Sequence, residues 1–215
     1  MTTIIQHADP ATLLAFAAGT LPEALSAVVA AHVAMCPSCR AEVADMELMG
    51  AALLTGSPMA ASSGERVPVP ARPRCAPPGL IARHRPADPL PSPISTAYGL
   101  TLDTVPWRRL GPGVWHHRLA LSAGSEGDLR LLRIAAGQQM PEHGHGGTEL
   151  TLVIAGAYSD ETGNYRRGDI QDIDEETEHR PLADRDEGCI CLIASERRAR
   201  FKGLVGRLVG PLTGM

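Results

Sequence analysis

The chain has 215 residues, 44% of them hydrophobic, with a formal charge of −4. That is enough apolar material for a buried core, and it excludes a wholly disordered chain. Aromatic residues make up only 3%. Together with the acidic balance, this argues against a stacking surface for single-stranded nucleic acid and against a general nucleic-acid binder.

No apolar run reaches the roughly 20 residues of a membrane helix. The start, MTTIIQHADP, lacks the basic region and long apolar core of a signal peptide, so a cytosolic protein is expected. Five cysteines at uneven spacing suit thiols or metal ligands rather than a disulfide framework.

Composition divides the chain into 1–57, 58–106 and 107–215. The first segment is rich in Ala and Leu, with Arg40 as its one basic residue against five acids, Asp9, Glu23, Glu42, Asp45 and Glu47. A first helix is predicted from Pro10, capped by Asp9, through Leu13, Leu14 and Phe16 to Gly19. A second opens at Leu21-Pro22-Glu23 and places Leu25, Val28, Val29 and His32 on one face. A third begins near Cys39 and carries Val43, Met46, Leu53 and Leu54 to the breaker at Gly56-Ser57-Pro58. Three short helices make a marginal core, of the size that usually needs a staple.

Residues 58–106 hold eleven of the eighteen prolines and are predicted to form an extended, semi-stiff linker. Beyond it, Leu129–Ile134, Glu149–Ile154, Asp169–Ile173 and Ile190–Ile193 read as short strands between Gly-containing turns, and Trp115-His116-His117 as the start of another. This pattern predicts a small antiparallel barrel or jelly roll rather than βαβ units.

Two constellations carry chemistry. His32, Cys36 and Cys39 spell H-x3-C-x2-C, and residues four apart on a helix share a face, so His32 and Cys36 can address one metal. Pro37 then turns the chain and brings Cys39 back. Two thiolates and an imidazole match zinc, and His7 is the other histidine of the segment able to close a tetrahedral site. A C-x2-C redox pair is the alternative, but no thioredoxin-like βαβ pattern surrounds it.

The second constellation is Gly137-x5-His143-x-His145-x3-Glu149-x6-Gly156. Along strands, His143, His145 and Glu149 have one parity and can converge inside a barrel, with His179 as a fourth ligand from a later strand. Three imidazoles and a carboxylate suit Zn, Mn, Fe, Ni or Cu. Cys189 and Cys191, two apart on a strand, face one side as an oxidisable pair or as small core residues.

The Gly137–Gly156 stretch resembles the first cupin motif. Gly168–His179 is similar to the second, departing from it at Asp174, Glu176 and Ala183. The H-x3-C-x2-C at 32–39, with His7 ahead of the first helix, resembles the zinc-binding anti-sigma domain.

Joined in this order, with the stretches HADPATLLAFAAGTL and GTELTLVIAGAY, they look like the ChrR-type anti-sigma factors. The resemblance implies a zinc-stapled helical domain (1–57) that grips an extracytoplasmic-function sigma factor and keeps it from RNA polymerase. It also implies a cupin domain (107–215) needed for release under singlet oxygen or related oxidative stress, with zinc in both. That family's helical domain ends in a fourth helix, for which only Gly79–His84 leaves room in the Pro-rich segment. The acidic first segment complements a basic partner, and Phe16, Leu48 and Met49 are candidates for the grip. The competing reading is a metal-dependent cupin oxygenase or hydrolase with an accessory N-terminal domain.

Overall fold

The computed structural model describes residues 3–56, 90–197 and 200–201. Among the described residues, four helices precede eleven strands. The helices are α1 (Pro10–Ala17), α2 (Glu23–Met35), α3 (Pro37–Gly56) and α4 (Ser92–Tyr98). Asp9 caps α1, its Oδ1 accepting the Ala11 N–H at 2.7 Å, with Pro10 inside the first turn. The predicted face of α2 is the buried one, and Leu25, Val28, Val29 and His32 are all inaccessible. At Cys36 the backbone is extended, which breaks α2 from α3. The third helix starts at Pro37, two residues before the expected Cys39, because proline fits a first helical turn whose N–H groups lack partners anyway.

The prolines of 58–106 mislead in part. Residues 58–89, including Gly79–His84 and Cys75, lie outside the described residues. From Leu90 onward the expected linker is folded: Leu90, Ile94 and Val105 are buried and α4 packs on α2. Pro91 and Pro93 sit at the N-cap and in the first turn of α4, where they do no harm, and Gly99 ends it at φ +63°.

The strands are β1 (Arg108–Gly111), β2 (Val114–Arg118), β3 (Asp128–Ile134), β4 (His143–Gly144), β5 (Glu149–Asp160) and β6 (Gly163–Arg166). They continue with β7 (Ile170–Ile173), β8 (Glu178–His179), β9 (Leu182–Ala183), β10 (Cys189–Ser195) and β11 (Arg200–Phe201). The main sheet runs β1-β2-β3-β10-β5-β6, with β7 and β9 also paired to β5, and a small sheet orders β11-β4-β8. The strand pairs are antiparallel, as the cupin-like reading requires. Gly156, at φ +68°, pairs with Cys189 next to a bulge at Ile154, and a Cβ on it would lie 2.1 Å from the Gly188 carbonyl oxygen.

Two cores result. Inside the barrel lie Val114, Leu132, Ile134, Met140, Val153, Tyr158, Tyr165, Cys189 and Cys191. The other core joins the helices to the outer face of the sheet: Leu13, Leu25, Val28 and Val29 are continuous with Leu129, Leu131, Leu150, Leu152, Ile154 and Leu192. Helix α2 lies across β3, β10 and β5. Alternate residues of these strands therefore face either the barrel interior or the helices, and both faces are buried. The N-terminal bundle is thus not the free-standing mini-domain the composition suggests, because the barrel covers its apolar side. Among the described residues no single helix is long and apolar enough to cross a membrane.

Candidate metal centres

The first centre forms at the α2–α3 corner. His32 projects from the last turns of α2, Cys36 occupies the break, and Cys39 lies in the first turn of α3. His7 comes from the extended segment before α1. One donor atom from each of the four lies within 4.8 Å of all the others. The His7 Nδ1 is 3.4 Å from Cys36 Sγ and 3.3 Å from Cys39 Sγ, and the His32 Nε2 is 3.3 Å from Cys39 Sγ. His32 Nδ1 stands 2.9 Å from the carbonyl oxygen of Gly168, a group that can only accept. Nδ1 therefore carries the proton and Nε2 presents its lone pair to the thiols.

The electrostatics call for a cation. Burial, aided by the Cys36 sulfur alongside, pushes the Cys39 thiol up to about 12. Burial likewise pulls the His32 ring down to about 4, against the Gly168 bond. A neutral imidazole is ready to ligate as it stands, while a buried thiolate pair needs positive charge beside it. That donor set fits zinc.

The second centre lies inside the barrel. β4 supplies His143, the loop after it His145, the start of β5 Glu149, and β8 His179. Their donor atoms again lie within 4.8 Å of one another, and the register sets His143 opposite His179. The His145 and His179 Nε2 atoms are 3.2 Å apart, and the His145 Nδ1 is 3.0 Å from Glu149 Oε2 without hydrogen-bond geometry. The orphaned ring nitrogen and the close approach of two imidazoles suit a cation among them.

His143 Nδ1 is satisfied by the Pro141 carbonyl at 2.8 Å and His179 Nδ1 by Asp160 at 2.8 Å. Burial lowers the His143 ring. Burial acts to raise the Glu149 carboxyl, but the three imidazoles outweigh it and hold it below its ordinary value. Three imidazoles around a carboxylate are a donor set that fits a divalent metal.

The eight residues read from spacing are thus brought together as two groups of four. The departures from the second cupin motif are accommodated locally. Asp174 Oδ1 accepts from the Glu176 N–H, the Thr177 N–H and the Thr177 hydroxyl, which makes the turn that leads into His179. Ala183 is buried on β9 opposite Tyr158. The sulfurs of Cys189 and Cys191 lie 3.2 Å apart, buried on the barrel face. The Cys189 contact, followed by burial, pushes the Cys191 thiol up. His116 and His117 lie on β2, at neither centre.

Spacing gave no hint of Asp160 and Gln171. Asp160 accepts from His179, from Gln171 Nε2 at 2.8 Å and from the Thr162 N–H at 2.9 Å. Its carboxyl, which burial acts to raise, is held well below the usual range by these bonds. In the sequence it looks like an ordinary turn residue of SDETG.

Residues 96–198 match the ChrR cupin-like domain family, and residues 12–40 match a zinc-finger family. The chain is 43% identical to the anti-sigma-E factor ChrR of Cereibacter sphaeroides, over 97% of this chain and 98% of that protein. The crystal structure of Rhodobacter sphaeroides SigE in complex with the anti-sigma ChrR contains a chain 39% identical to this one. That likeness covers 90% of this chain and 100% of the other, with a TM-score of 0.73. A cupin protein of Ralstonia eutropha is similar over 49% of this chain and 72% of its own, at 20% identity and a TM-score of 0.43.

Proposed function

This chain belongs to the ChrR family of anti-sigma factors, and we propose that it binds an extracytoplasmic-function sigma factor through its N-terminal helices and withholds it from RNA polymerase. The observation that carries the reading is that the likeness runs end to end, through both the helical and the barrel part, to a protein that is itself an anti-sigma factor. It is a regulator rather than an enzyme.

The exposed surface of the helices supports the same reading. The large exposed apolar side chains among the described residues are Ile5, Leu14, Leu48, Met49, Leu53 and Leu54, all in the N-terminal part. Glu42, Asp45 and Glu47 stand exposed on the same α3. Exposed apolar side chains and acids on the same helix suit a partner with a basic, partly apolar surface. Phe16, a candidate for the grip by sequence, packs against the shared core instead.

His7, His32, Cys36 and Cys39 would hold zinc, and His143, His145, Glu149 and His179 a second ion, zinc again in this reading. Zinc bound at the α2–α3 corner supplies a tetrahedral cross-link of the segment before α1, α2 and α3. The chain's own part is to present the His32 ring in a fixed tautomer and to bury the thiols away from water. Release under singlet oxygen or related oxidative stress would run through the barrel, whose centre and cysteine pair carry oxidisable groups.

The test is transcription in vitro with core polymerase, an extracytoplasmic-function sigma factor from the same organism, and the full chain. Transcription from that sigma factor's promoter should fall as the chain is titrated to one equivalent, and that from the housekeeping sigma factor should not. No inhibition of any such sigma factor would contradict the reading.

A further inference from the structure

The first metal centre is not built by the N-terminal segment alone. Its two histidines are both aimed by one turn of the barrel, between β6 and β7. The Gly168 carbonyl oxygen, in that turn, accepts the buried His32 Nδ1–H at 2.9 Å.

The next residue, Asp169, is 1% exposed and makes no ion pair among the described residues. Its carboxylate is spent on backbone. Oδ1 takes the N–H of Ile5 at 2.8 Å and of Gln6 at 3.2 Å, and Oδ2 takes the N–H of Arg166 at 2.9 Å. The Ile170 N–H returns a bond to the Gln6 carbonyl at 3.2 Å, and Asp172 Oδ2 accepts the Asp9 N–H at 3.1 Å. His7 is therefore pinned on both sides, at Gln6 and at Asp9, by barrel residues.

Gly168 itself, at φ +93°, leaves open the space that Ile4 fills, and a Cβ there would lie 2.7 Å from Ile4 Cδ1. A carboxylate buried this deeply is retained where its bonds fix a geometry. Here that geometry is the placement of the segment bearing His7 beside the carbonyl that holds His32.

We propose that Asp169 is a positioning residue of the N-terminal metal centre: a barrel carboxylate that sets His7 and, through the Gly168 carbonyl, His32, so that docking of the barrel tunes zinc affinity at the helices. The inference rests on the zinc reading of that centre. It reaches further, since the barrel's grip on this segment then changes the zinc site without touching a ligand. Partners of a metal-bound histidine's second nitrogen are typically worth about 10- to 100-fold in affinity.

The experiment uses the metal-free full chain titrated with cobalt and then with zinc against a competing chelator. The thiolate-to-cobalt charge-transfer band reports the centre of Cys36 and Cys39. Asp169→Asn puts an amide N–H where one set of backbone donors needs an acceptor. It should lower zinc affinity at this centre about 10-fold and shift the cobalt ligand-field bands, with the barrel's metal stoichiometry unchanged. A role confined to fold stability would lower the melting temperature but leave the bands in place. If Asp169→Asn does not fold, Gly168→Ala, which keeps the carboxylate but strains the turn and crowds Ile4, and so shifts the carbonyl and the His7 segment together, must give the same loss and shift. Wild-type affinity and an unshifted spectrum in the folded variant would overturn the inference while leaving the zinc reading intact. Absence of the thiolate band from the wild-type chain would overturn both.

Discussion

The Nδ1 of His179 lies 2.8 Å from Oδ2 of Asp160, and both side chains are inaccessible to solvent. Asp160, at the end of β5, fixes the tautomer of a ring on β8 and is fixed in turn by Gln171 on β7 and by Thr162. The barrel centre thus has a buried orienting shell, as metal-binding histidines generally do.

Asp160→Ala should weaken metal binding in the barrel about 10- to 100-fold and leave the N-terminal centre loaded. Chelator competition on the full chain, followed by metal analysis, measures both. Equal affinity in variant and wild type would mean that His179 is oriented by something other than this carboxylate.

The shared core predicts one unfolding transition. Leu152, on β5, is fully buried in the cluster that also holds Leu25, Val28 and Val29 of α2. Leu152→Ala should cost about 2–5 kcal/mol and shift two signals together in a denaturant titration, the cobalt band at Cys36 and Cys39 and the fluorescence of Trp107 and Trp115. Two separated transitions, with only the fluorescence moved, would show that helices and barrel fold independently.

The buried His32 ring makes the metal-free chain acid-sensitive. Its value falls from 6.5 to about 4 on folding, so the unfolded chain takes up this proton first as pH drops. Its contribution is therefore fully present above pH 6.5 and lost between 6.5 and about 4, with a slope approaching 1.4 kcal/mol per pH unit, roughly one proton's worth. Metal-free His32→Asn should have a shallower acid limb in urea titrations than the metal-free wild type. Parallel limbs would place the sensitivity in other groups.

Leu53 and Leu54 are 77% and 78% exposed on α3, so their substitution should not disturb the fold. The double change Leu53→Ser, Leu54→Ser should leave the melting temperature within about a degree, surface changes costing little, and weaken sigma-factor binding about 10-fold or more if the pair lies in the buried centre of the contact. Isothermal titration of both chains decides it, and undiminished affinity would move the grip to another face.

The sequence was most informative where spacing and chemistry coincided. His32, Cys36 and Cys39 are bound to a helix turn and a break, so their convergence is legible in the spacing. His143, His145 and Glu149 converge as expected, but across a loop at 145–148 rather than by the parity of one continuous strand. Two things were hidden. The number of prolines in 58–106 does not reveal their positions, and Pro91 and Pro93 start α4 instead of preventing it. Runs such as LTLVI are apolar on both faces, and nothing in such a run says whether its second face meets another sheet or a helix. Here it meets α2, and that contact turns a small bundle in need of a staple into half of a common core. For the same reason the roles of Asp160, Asp169 and Gln171 are illegible, since the bonds that tie them to His179, to the segment before α1 and to one another span 11 to 164 residues.

The most direct test of the account is the affinity of the sigma factor for three samples of the full chain: zinc-loaded, chelator-stripped, and the Cys36→Ala, Cys39→Ala variant. The account predicts tight binding by the first and a loss of about 100-fold or more in the other two, which is well below the roughly 10–16 kcal/mol that structural zinc can contribute to folding. Equal affinity in all three would contradict it.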